Sequence, residues 1–132
     1  MTQEEKNKII DKWLPILNDD YLHFGEDGLE NARRYADICS IKEFDDKGVL
    51  MWLTFRDIDN IIKTSVLLFY VKPEYRGSKI FLTMIKNLEK IAIEEKSKAI
   101  IIGGSISGYK EEKFNKIFAK FGYQPLGFIR KV

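Results

Sequence analysis

The stretch VKPEYRGSKIF, residues 71–81, ends an apolar run and begins an amphipathic one, so it predicts a strand that leads into a helix. The first backbone N–H groups of a helix have no intrahelical partner, and the helix dipole adds partial positive charge, so phosphate binds well there. Arg76 and Lys79 would add full charges. Gly77 lets the backbone approach a ligand, and Ser78 can cap the helix. The same residue types are common before any helix, so the junction is either a phosphate-binding turn or a plain connection.

The segments around this junction predict a buried strand, a helix and a second strand. Residues 66–71 are apolar on both alternating faces, as expected of a central strand that is covered on both sides. Apolar side chains then recur at helical spacing, namely Phe81, Met84, Ile85, Leu88 and Ala92. KAIIIGG, residues 98–104, is typical of a short buried strand, and a right-handed crossover should make it parallel to residues 66–71.

The beginning of the chain predicts two helices. Thr2 and Glu5 have the spacing of a capping box, so the first helix should begin at once. Pro15 lacks a backbone N–H and should kink or restart that helix. Residues 18–28 are typical of a turn region, and LENARRYA, residues 29–36, of a short second helix.

An antiparallel meander of three strands should follow. CSIKEF, residues 39–44, and VLMWLTF, residues 49–55, flank DDKG, whose Asp and Gly residues suit a tight hairpin with positive φ. DIDN, residues 57–60, makes a second turn before the third strand, IIKTSVLLFYV, residues 61–71.

The end of the chain predicts one more helix and one more strand. Residues 109–122 carry an apolar stripe of Phe114, Ile117, Phe118 and Phe121, and Gly122 should stop the helix. Residues 123–132 then form an extended segment. The whole chain, residues 1–132, is expected to be a single α+β (mixed α/β) domain, with an antiparallel meander followed by a parallel strand pair and helices on both faces of the sheet.

Composition narrows the function classes. The chain has 132 residues, with 22 basic and 20 acidic side chains, and its charges are spread evenly, which does not favour a nucleic-acid surface. No apolar run reaches the roughly 20 residues that span a bilayer, so we expect no membrane contact and a cytoplasmic location. Cys39 is expected to be a small buried residue, and His23 a surface or packing residue. No metal site is predicted.

The segment VKPEYRGSKIFLTMIKNLEKIA, residues 71–92, resembles the acetyl-CoA-binding segment of the GNAT N-acetyltransferases, in which a V-x-P-x-x-R-G pattern leads into a long helix. FNKIFAKFGYQPLGFIRKV, residues 114–132, is similar to the closing helix, glycine-aromatic pair and final strand of that family. The likeness covers about residues 38–132. It is greatest to acetyltransferase-like proteins of bacteriophages with a degenerate acetyl-CoA loop.

The resemblance implies acetyl-CoA as co-substrate and a primary amine as acceptor. The pantetheine arm would lie between the two parallel strands and pair with the backbone of the first, here Phe69, Tyr70 and Val71. The pyrophosphate would lie on the backbone N–H groups of Arg76, Gly77, Ser78, Lys79, Ile80 and Phe81.

The chain departs from the family pattern at several positions. Lys79 and Phe81 stand where the family loop has small residues. Phe118 stands where many members have the Tyr that protonates the departing thiolate, so the candidates for this role are water and the hydroxyls of Tyr70, Ser105, Ser107 and Tyr109. No carboxylate stands out as the base, because Glu43, Asp57 and Asp59 are expected to be solvated turn residues.

Two functions remain open at this point. The first is an N-acetyltransferase that moves acetyl from acetyl-CoA to a primary amine. The second is a catalytically inactive binding or assembly protein of the same fold, for example a phage structural or host-takeover protein in the host cytoplasm or the virion. Because the first helix begins at Thr2, the sheet should lack the family's first strand, and its edge would be open to a protein partner. The acceptor and the oligomeric state stay open.

Overall fold

A computed structural model of the chain describes residues 1–20, 27–102, 111–124 and 130. The helices are α1 (Gln3–Asp20), α2 (Gly28–Ile38), α3 (Lys79–Glu94) and α4 (Glu111–Ala119), and the strands are β1 (Ser40–Phe44), β2 (Gly48–Arg56), β3 (Ile62–Val71) and β4 (Ala99–Ile102). A short 3-10 helix, Pro73–Tyr75, lies between β3 and α3. None of the helices in these ranges is both long and apolar enough to cross a bilayer.

The strands form one sheet in the order β1-β2-β3-β4. β1 and β3 are both antiparallel to β2, and β4 is parallel to β3. This confirms the predicted α+β class, with an antiparallel meander followed by a parallel strand pair. The predicted closing strand, residues 123–132, falls largely outside the described residues.

Helices cover both faces of the sheet, as predicted. The face under α3 and α4 has a core of Phe44, Leu50, Trp52, Val66, Phe69, Val71, Ile80, Phe81, Met84, Ile85, Leu88 and Phe118. The face under α1 and α2 has a core of Ile10, Trp13, Leu17, Ala36, Ile41, Val49, Leu68 and Tyr70. Successive side chains of a strand point to opposite faces. Phe69 and Tyr70 therefore belong to different cores, and this separation matters for the site.

The first helix begins as predicted but does not restart at Pro15. The Glu5 N–H donates to Thr2 Oγ1 at 3.2 Å, so Thr2 caps α1. Helix α1 then runs through Pro15 without interruption. Trp13 and Leu17, on either side of Pro15, are both at least 97% buried, with exposures of 1% and 3%. Their burial in the sheet core stabilises the helix on both sides, which offsets the roughly 3 kcal/mol that an interior proline costs.

The tight turn between β1 and β2 uses aspartates where glycine would be expected. Asp45 and Asp46 adopt positive φ of 49° and 58°, which short polar side chains tolerate. Gly48 has a different reason to be glycine: a Cβ there would lie 2.6 Å from Met84 Sδ and 3.0 Å from the Tyr70 carbonyl oxygen. Gly48 therefore lets α3 pack directly on the sheet.

Helix α4 is shorter at its end than the sequence predicts. It ends at Ala119, so Phe121 lies beyond the helix and is 38% exposed rather than part of a buried stripe. Gly122 adopts φ of 86°, and the Tyr123 N–H returns to the Phe118 carbonyl at 3.2 Å, which confirms the glycine stop. The Phe114 side chain and residues 109–110, where the helix was predicted to begin, lie outside the described part.

Cys39 is buried as predicted, with an exposed fraction of 1%. Burial raises the pKa of its thiol, which keeps the sulfur protonated and unreactive. Lys6 Nζ donates to the Cys39 and Ala36 carbonyl oxygens at 2.7 and 2.9 Å, so a lysine of α1 binds the carbonyl end of α2.

Candidate functional site

The described residues of β4 pair with the first half of β3. β4 pairs with residues 63–66 of β3 and ends at Ile102, opposite Val66. Residues 67–71 of β3 continue beside β2, and no other described strand pairs with them. Among the described residues, the edge of β3 that faces away from β2 therefore has no strand partner beyond Val66.

A β-bulge in β3 follows directly after the residues that pair with β4. Met51 of β2 pairs with Leu68, whereas the next residue, Trp52, pairs with Val66, so Leu67 is an extra residue in β3. A bulge reverses the alternation of backbone and side-chain directions for the residues after it and is common beside active sites. Here it changes which residues of β3 direct their backbone away from β2.

The direction of each backbone group follows from the ladder. The Lys72 N–H donates to the Lys47 carbonyl at 2.9 Å, so these two residues form a hydrogen-bonded pair at the end of the ladder. Hydrogen-bonded and non-hydrogen-bonded pairs alternate in an antiparallel ladder. The backbones of Phe69 and Val71 therefore point away from β2, and the Tyr70 backbone faces β2. The assignment of these three residues to the pantetheine arm stays a prediction.

The loop after β3 leaves some backbone donors available. The Arg76 N–H donates to the Pro73 carbonyl at 3.3 Å, and the Ser78 N–H donates to the Tyr75 carbonyl at 3.2 Å. Ser78 Oγ accepts the Ile80 N–H at 3.4 Å and caps α3. The described residues provide no acceptor for the N–H groups of Gly77 and Lys79.

Arg76 lies against the protein rather than pointing toward solvent. Its Nε donates to the Val71 carbonyl at 2.9 Å, and its Nη2 donates to Asp20 Oδ2 at 2.5 Å. The guanidinium carbon lies 5.3 Å from the centre of the Tyr70 ring. The side chain is only 18% exposed. The sequence predicted that Arg76 would add its charge to a phosphate site, whereas the structure pairs that charge with Asp20.

Lys79 and Phe81, the two residues that depart from the family loop, have different environments. Lys79 is exposed at the first position of α3. Phe81 is 7% exposed, and its ring centre lies 5.1 Å from that of Phe69 and 5.6 Å from that of Phe118. Phe81 is therefore a core residue, whereas Lys79 is a surface residue.

Tyr70 is poorly suited to donate a proton to a departing thiolate. Its hydroxyl donates to Asp20 Oδ2 at 2.9 Å, and its side chain is fully buried. Burial, and then the hydrogen bond to Asp20, raise the pKa of Tyr70 well above its ordinary value. The Tyr70 side chain also belongs to the α1 face of the sheet, whereas Phe118 belongs to the α3 face.

Phe118 is a core residue, as the apolar stripe of α4 predicts. It is 4% exposed and makes edge-on ring contacts with Phe69 at 5.6 Å and Tyr123 at 5.1 Å. Tyr123 was not predicted as a site residue, although it is the aromatic member of the glycine-aromatic pair. Its hydroxyl oxygen is buried, and no described residue bonds to it. Burial raises the pKa of Tyr123 to about 12, and the charge of Glu89 adds to this effect.

The remaining predicted residues divide into three groups. Ser105, Ser107, Tyr109 and His23 lie outside the described residues. Asp57 and Asp59 are turn residues, as predicted, and hydrogen bonds from Lys63, each 2.8 Å long, lower the pKa of both. The prediction for Glu43 was wrong: it lies in β1, where it accepts from Trp13 Nε1 at 2.5 Å. Glu43 therefore joins β1 to α1, and sequence spacing alone does not reveal this contact.

Comparison with known proteins places the fold. No protein-family model matches the chain, and no curated protein sequence matches it. A ribosomal-protein-alanine N-acetyltransferase from Brucella melitensis biovar Abortus superposes with a TM-score of 0.71 at 13% identity, covering 96% of this chain and 95% of that one. A predicted acetyltransferase from Clostridium acetobutylicum, solved with acetyl-CoA, superposes with a TM-score of 0.70 at 14% identity, covering 100% and 92%.

An acetyltransferase from Trypanosoma brucei superposes with a TM-score of 0.65 at 12% identity, covering 100% of this chain and 94% of that one. Identities this low show the fold alone. The chain therefore has the GNAT fold, which it shares with acetyltransferases over almost its full length. The bacteriophage type stays a prediction.

Proposed function

We propose that the protein is an acetyl-CoA-dependent N-acetyltransferase that acts on a primary amine. The proposal rests on two neighbouring parts of the structure, the edge of β3 and the N-terminus of α3. The open edge of β3, at Phe69 and Val71, leads through one short loop to the N-terminus of α3, where Gly77 and Lys79 have N–H groups without a described acceptor. The GNAT fold shared with acetyltransferases supports the same function.

The two features suit the two ends of one molecule. The amide groups of a pantetheine arm are suited to pair with the Phe69 backbone and the Val71 N–H in the way that an added strand would. The Val71 carbonyl already accepts a hydrogen bond from Arg76 Nε. A diphosphate would accept from the Gly77 and Lys79 N–H groups, with the α3 dipole and the Lys79 ammonium adding favourable charge. This arrangement would direct the acetyl end of the molecule toward Leu67, the bulge residue of β3.

The reaction forms a bond between the amine nitrogen and the acetyl carbon and breaks the thioester carbon–sulfur bond. The amine must lose a proton, and the thiolate must gain one. Phe118 has no proton to give, and the Tyr70 proton is held by Asp20. Water and the hydroxyls of Ser105, Ser107 and Tyr109 remain the proposed sources of the proton.

Titration calorimetry with acetyl-CoA, followed by thiol release on a panel of amines, tests this function. We expect saturable binding and turnover on at least one amine class. The matched variant is Lys79→Glu, which reverses one exposed charge at the α3 N-terminus and should weaken binding. The proposal would be overturned if about 1 mM acetyl-CoA produced neither heat nor a thermal shift. A Kd of about 1 mM corresponds to only about 4 kcal/mol of binding free energy.

A second candidate function is a binding or assembly protein that has lost catalysis. It is favoured by the aromatic core under α3 and α4, where Phe81 and Phe118 occupy positions that the resemblance assigns to a small residue and a catalytic Tyr. In this case, a protein partner would bind with equal strength to the wild type and to Lys79→Glu. Turnover of acetyl-CoA by the purified protein would exclude it.

A further inference from the structure

Asp20 joins the end of α1 to the loop that follows β3. Its Oδ2 accepts both the Tyr70 hydroxyl at 2.9 Å and Arg76 Nη2 at 2.5 Å. Asp20 and Arg76 are 56 positions apart in the sequence, and their side chains are only 21% and 18% exposed. A charged pair shielded to this degree is held more firmly than the exposed ion pairs of the surface.

Arg76 in turn fixes the shape of the loop. Because its Nε bonds to the Val71 carbonyl, the side chain bridges the loop from its end back to the last residue of β3. The guanidinium also stacks on the Tyr70 ring. Gly77 follows directly, with φ of 85°, so the direction of its N–H depends on where Arg76 is held. The Asp20 carboxylate thus acts on the proposed phosphate donors through Arg76.

The two cationic side chains of the loop, Arg76 and Lys79, have different electrostatic surroundings. The charge of Arg76 is matched by that of Asp20, so little of it is left to attract an anion. Lys79 is exposed, none of the described residues forms an ion pair with it, and the first turn of α3 contains no acidic residue. A cation in the first turn of a helix is unfavourable on its own, because it opposes the helix dipole, and a bound anion removes that cost.

We propose that Asp20 and Arg76 are positioning residues for the phosphate loop, and that Lys79 supplies the charge that the phosphates meet. This inference deepens the proposed acetyltransferase function and depends on it. It also changes the expected role of Arg76, which holds the loop rather than the ligand.

The test measures acetyl-CoA affinity and loop hydrogen exchange in Asp20→Asn. The matched control is Asp11→Asn, which removes the same charge from the same helix, where Asp11 pairs with Arg33 at 2.8 Å. We expect Asp20→Asn to bind acetyl-CoA about tenfold more weakly, because the variant loses the charged hydrogen bond to Arg76 that orders the loop. We also expect faster amide exchange at Gly77 in the unliganded protein. Asp11→Asn should match the wild type in both measurements.

Two further variants separate positioning from charge and from general stability. Arg76→Lys keeps the positive charge but loses the fork that reaches Val71 and Asp20 together, so it should bind as weakly as Asp20→Asn. Lys79→Ala should weaken binding and reduce its dependence on salt, whereas Asp20→Asn should retain the salt dependence of the wild type. Unfolding midpoints measured alongside show whether each variant is folded at the assay temperature.

The possible results lead to distinct conclusions. Wild-type affinity in either Asp20→Asn or Arg76→Lys would overturn the positioning role while leaving the proposed function intact. Tighter binding by Asp20→Asn would overturn it as well, because Arg76 would then be a phosphate ligand that Asp20 restrains. An absence of acetyl-CoA binding by the wild type would overturn the proposed function, and the positioning role with it.

Discussion

The two halves of β3 differ in how they are held. Residues 63–66 have a strand on each edge, with β2 on one side and β4 on the other. Residues 67–71 have β2 on one edge and, among the described residues, no strand on the other. We call these the closed half and the open half of β3. A strand that lacks a neighbour on one edge depends more on the packing of its two faces. Its unpaired edge presents backbone N–H and C=O groups to which a ligand can bind.

The faces of the open half are packed accordingly. On the α3 side, the Phe69 ring contacts those of Phe81 and Phe118. On the α1 side, Tyr70 contacts the Trp13 ring at 6.0 Å and bonds to Asp20. The comparison therefore predicts that changes to face packing will loosen the open half more than the closed half.

The largest effect is expected from Phe118→Ala. The change leaves a cavity against Phe69 and Phe81 and should lower the free energy of unfolding by about 3–5 kcal/mol. Phe118→Leu fills most of that space and should cost less. Urea unfolding gives the stabilities, and native-state hydrogen exchange should show more loss of protection at residues 69–71 than at residues 63–66. Equal loss in both halves would contradict the comparison.

A smaller effect is expected from Gly48→Ala, opposite Val71 in the open half. The new methyl group would meet Met84 Sδ and the Tyr70 carbonyl at 2.6 and 3.0 Å. Overpacking of this kind should cost about 1–3 kcal/mol. Met84→Ala creates space at the same point, so the double variant should lose less than the sum of the two single losses. Strict additivity in urea unfolding would show that the two groups do not compete.

The third effect is a loss of stability at alkaline pH through Tyr70. Its pKa is raised in the folded protein, whereas in the unfolded chain it is near 10, about that of a free tyrosine. Above about pH 10 the unfolded chain releases the proton and the folded protein keeps it, so stability falls as pH rises, by up to about 1.4 kcal/mol per pH unit. Tyr70→Phe should remove this part of the slope in unfolding curves measured from pH 9 to 11.5. An unchanged slope would show that Tyr70 titrates alike in both states.

The smallest effect is expected from Tyr123→Phe. The buried hydroxyl has no described partner, so its removal should change stability at neutral pH by about 1 kcal/mol or less. Because the pKa of Tyr123 is about 12 in the folded protein, the same variant should lose less stability than the wild type between about pH 10 and pH 12. A large loss at neutral pH would mean that this hydroxyl has a bonding partner.

Much of the fold could be predicted because its signals are local. Short polar turns separate the apolar segments of β1, β2 and β3, and the apolar stripe of α3 identifies both the helix and its buried face. The bulge at Leu67 has no such signal, since it depends on how β2 and β3 align over their whole length. The continuity of α1 through Pro15 was missed because the burial of Trp13 and Leu17, which outweighs the proline, is a property of the assembled core.

The strand–loop–helix junction at residues 71–81 could be predicted from the sequence, whereas the contacts of its side chains could not. The sequence predicts a ligand-binding junction at residues 71–81, and the open half of β3 ends there. The inward orientation of Arg76 could not be predicted, because it depends on Asp20 in α1. The exposure of Lys79 and the burial of Phe81 follow from helix periodicity, which places Phe81 with Met84 and Ile85 on the buried stripe.

The central claim is that acetyl-CoA lies along the open half of β3 and ends on the α3 N-terminus. Backbone amide signals recorded by NMR during an acetyl-CoA titration test this claim most directly. We expect shifts and slower hydrogen exchange at Phe69, Val71, Gly77 and Lys79, with residues 63–66 unchanged. Saturating acetyl-CoA that leaves Phe69 and Val71 unchanged, or that affects the closed half instead, would contradict the account.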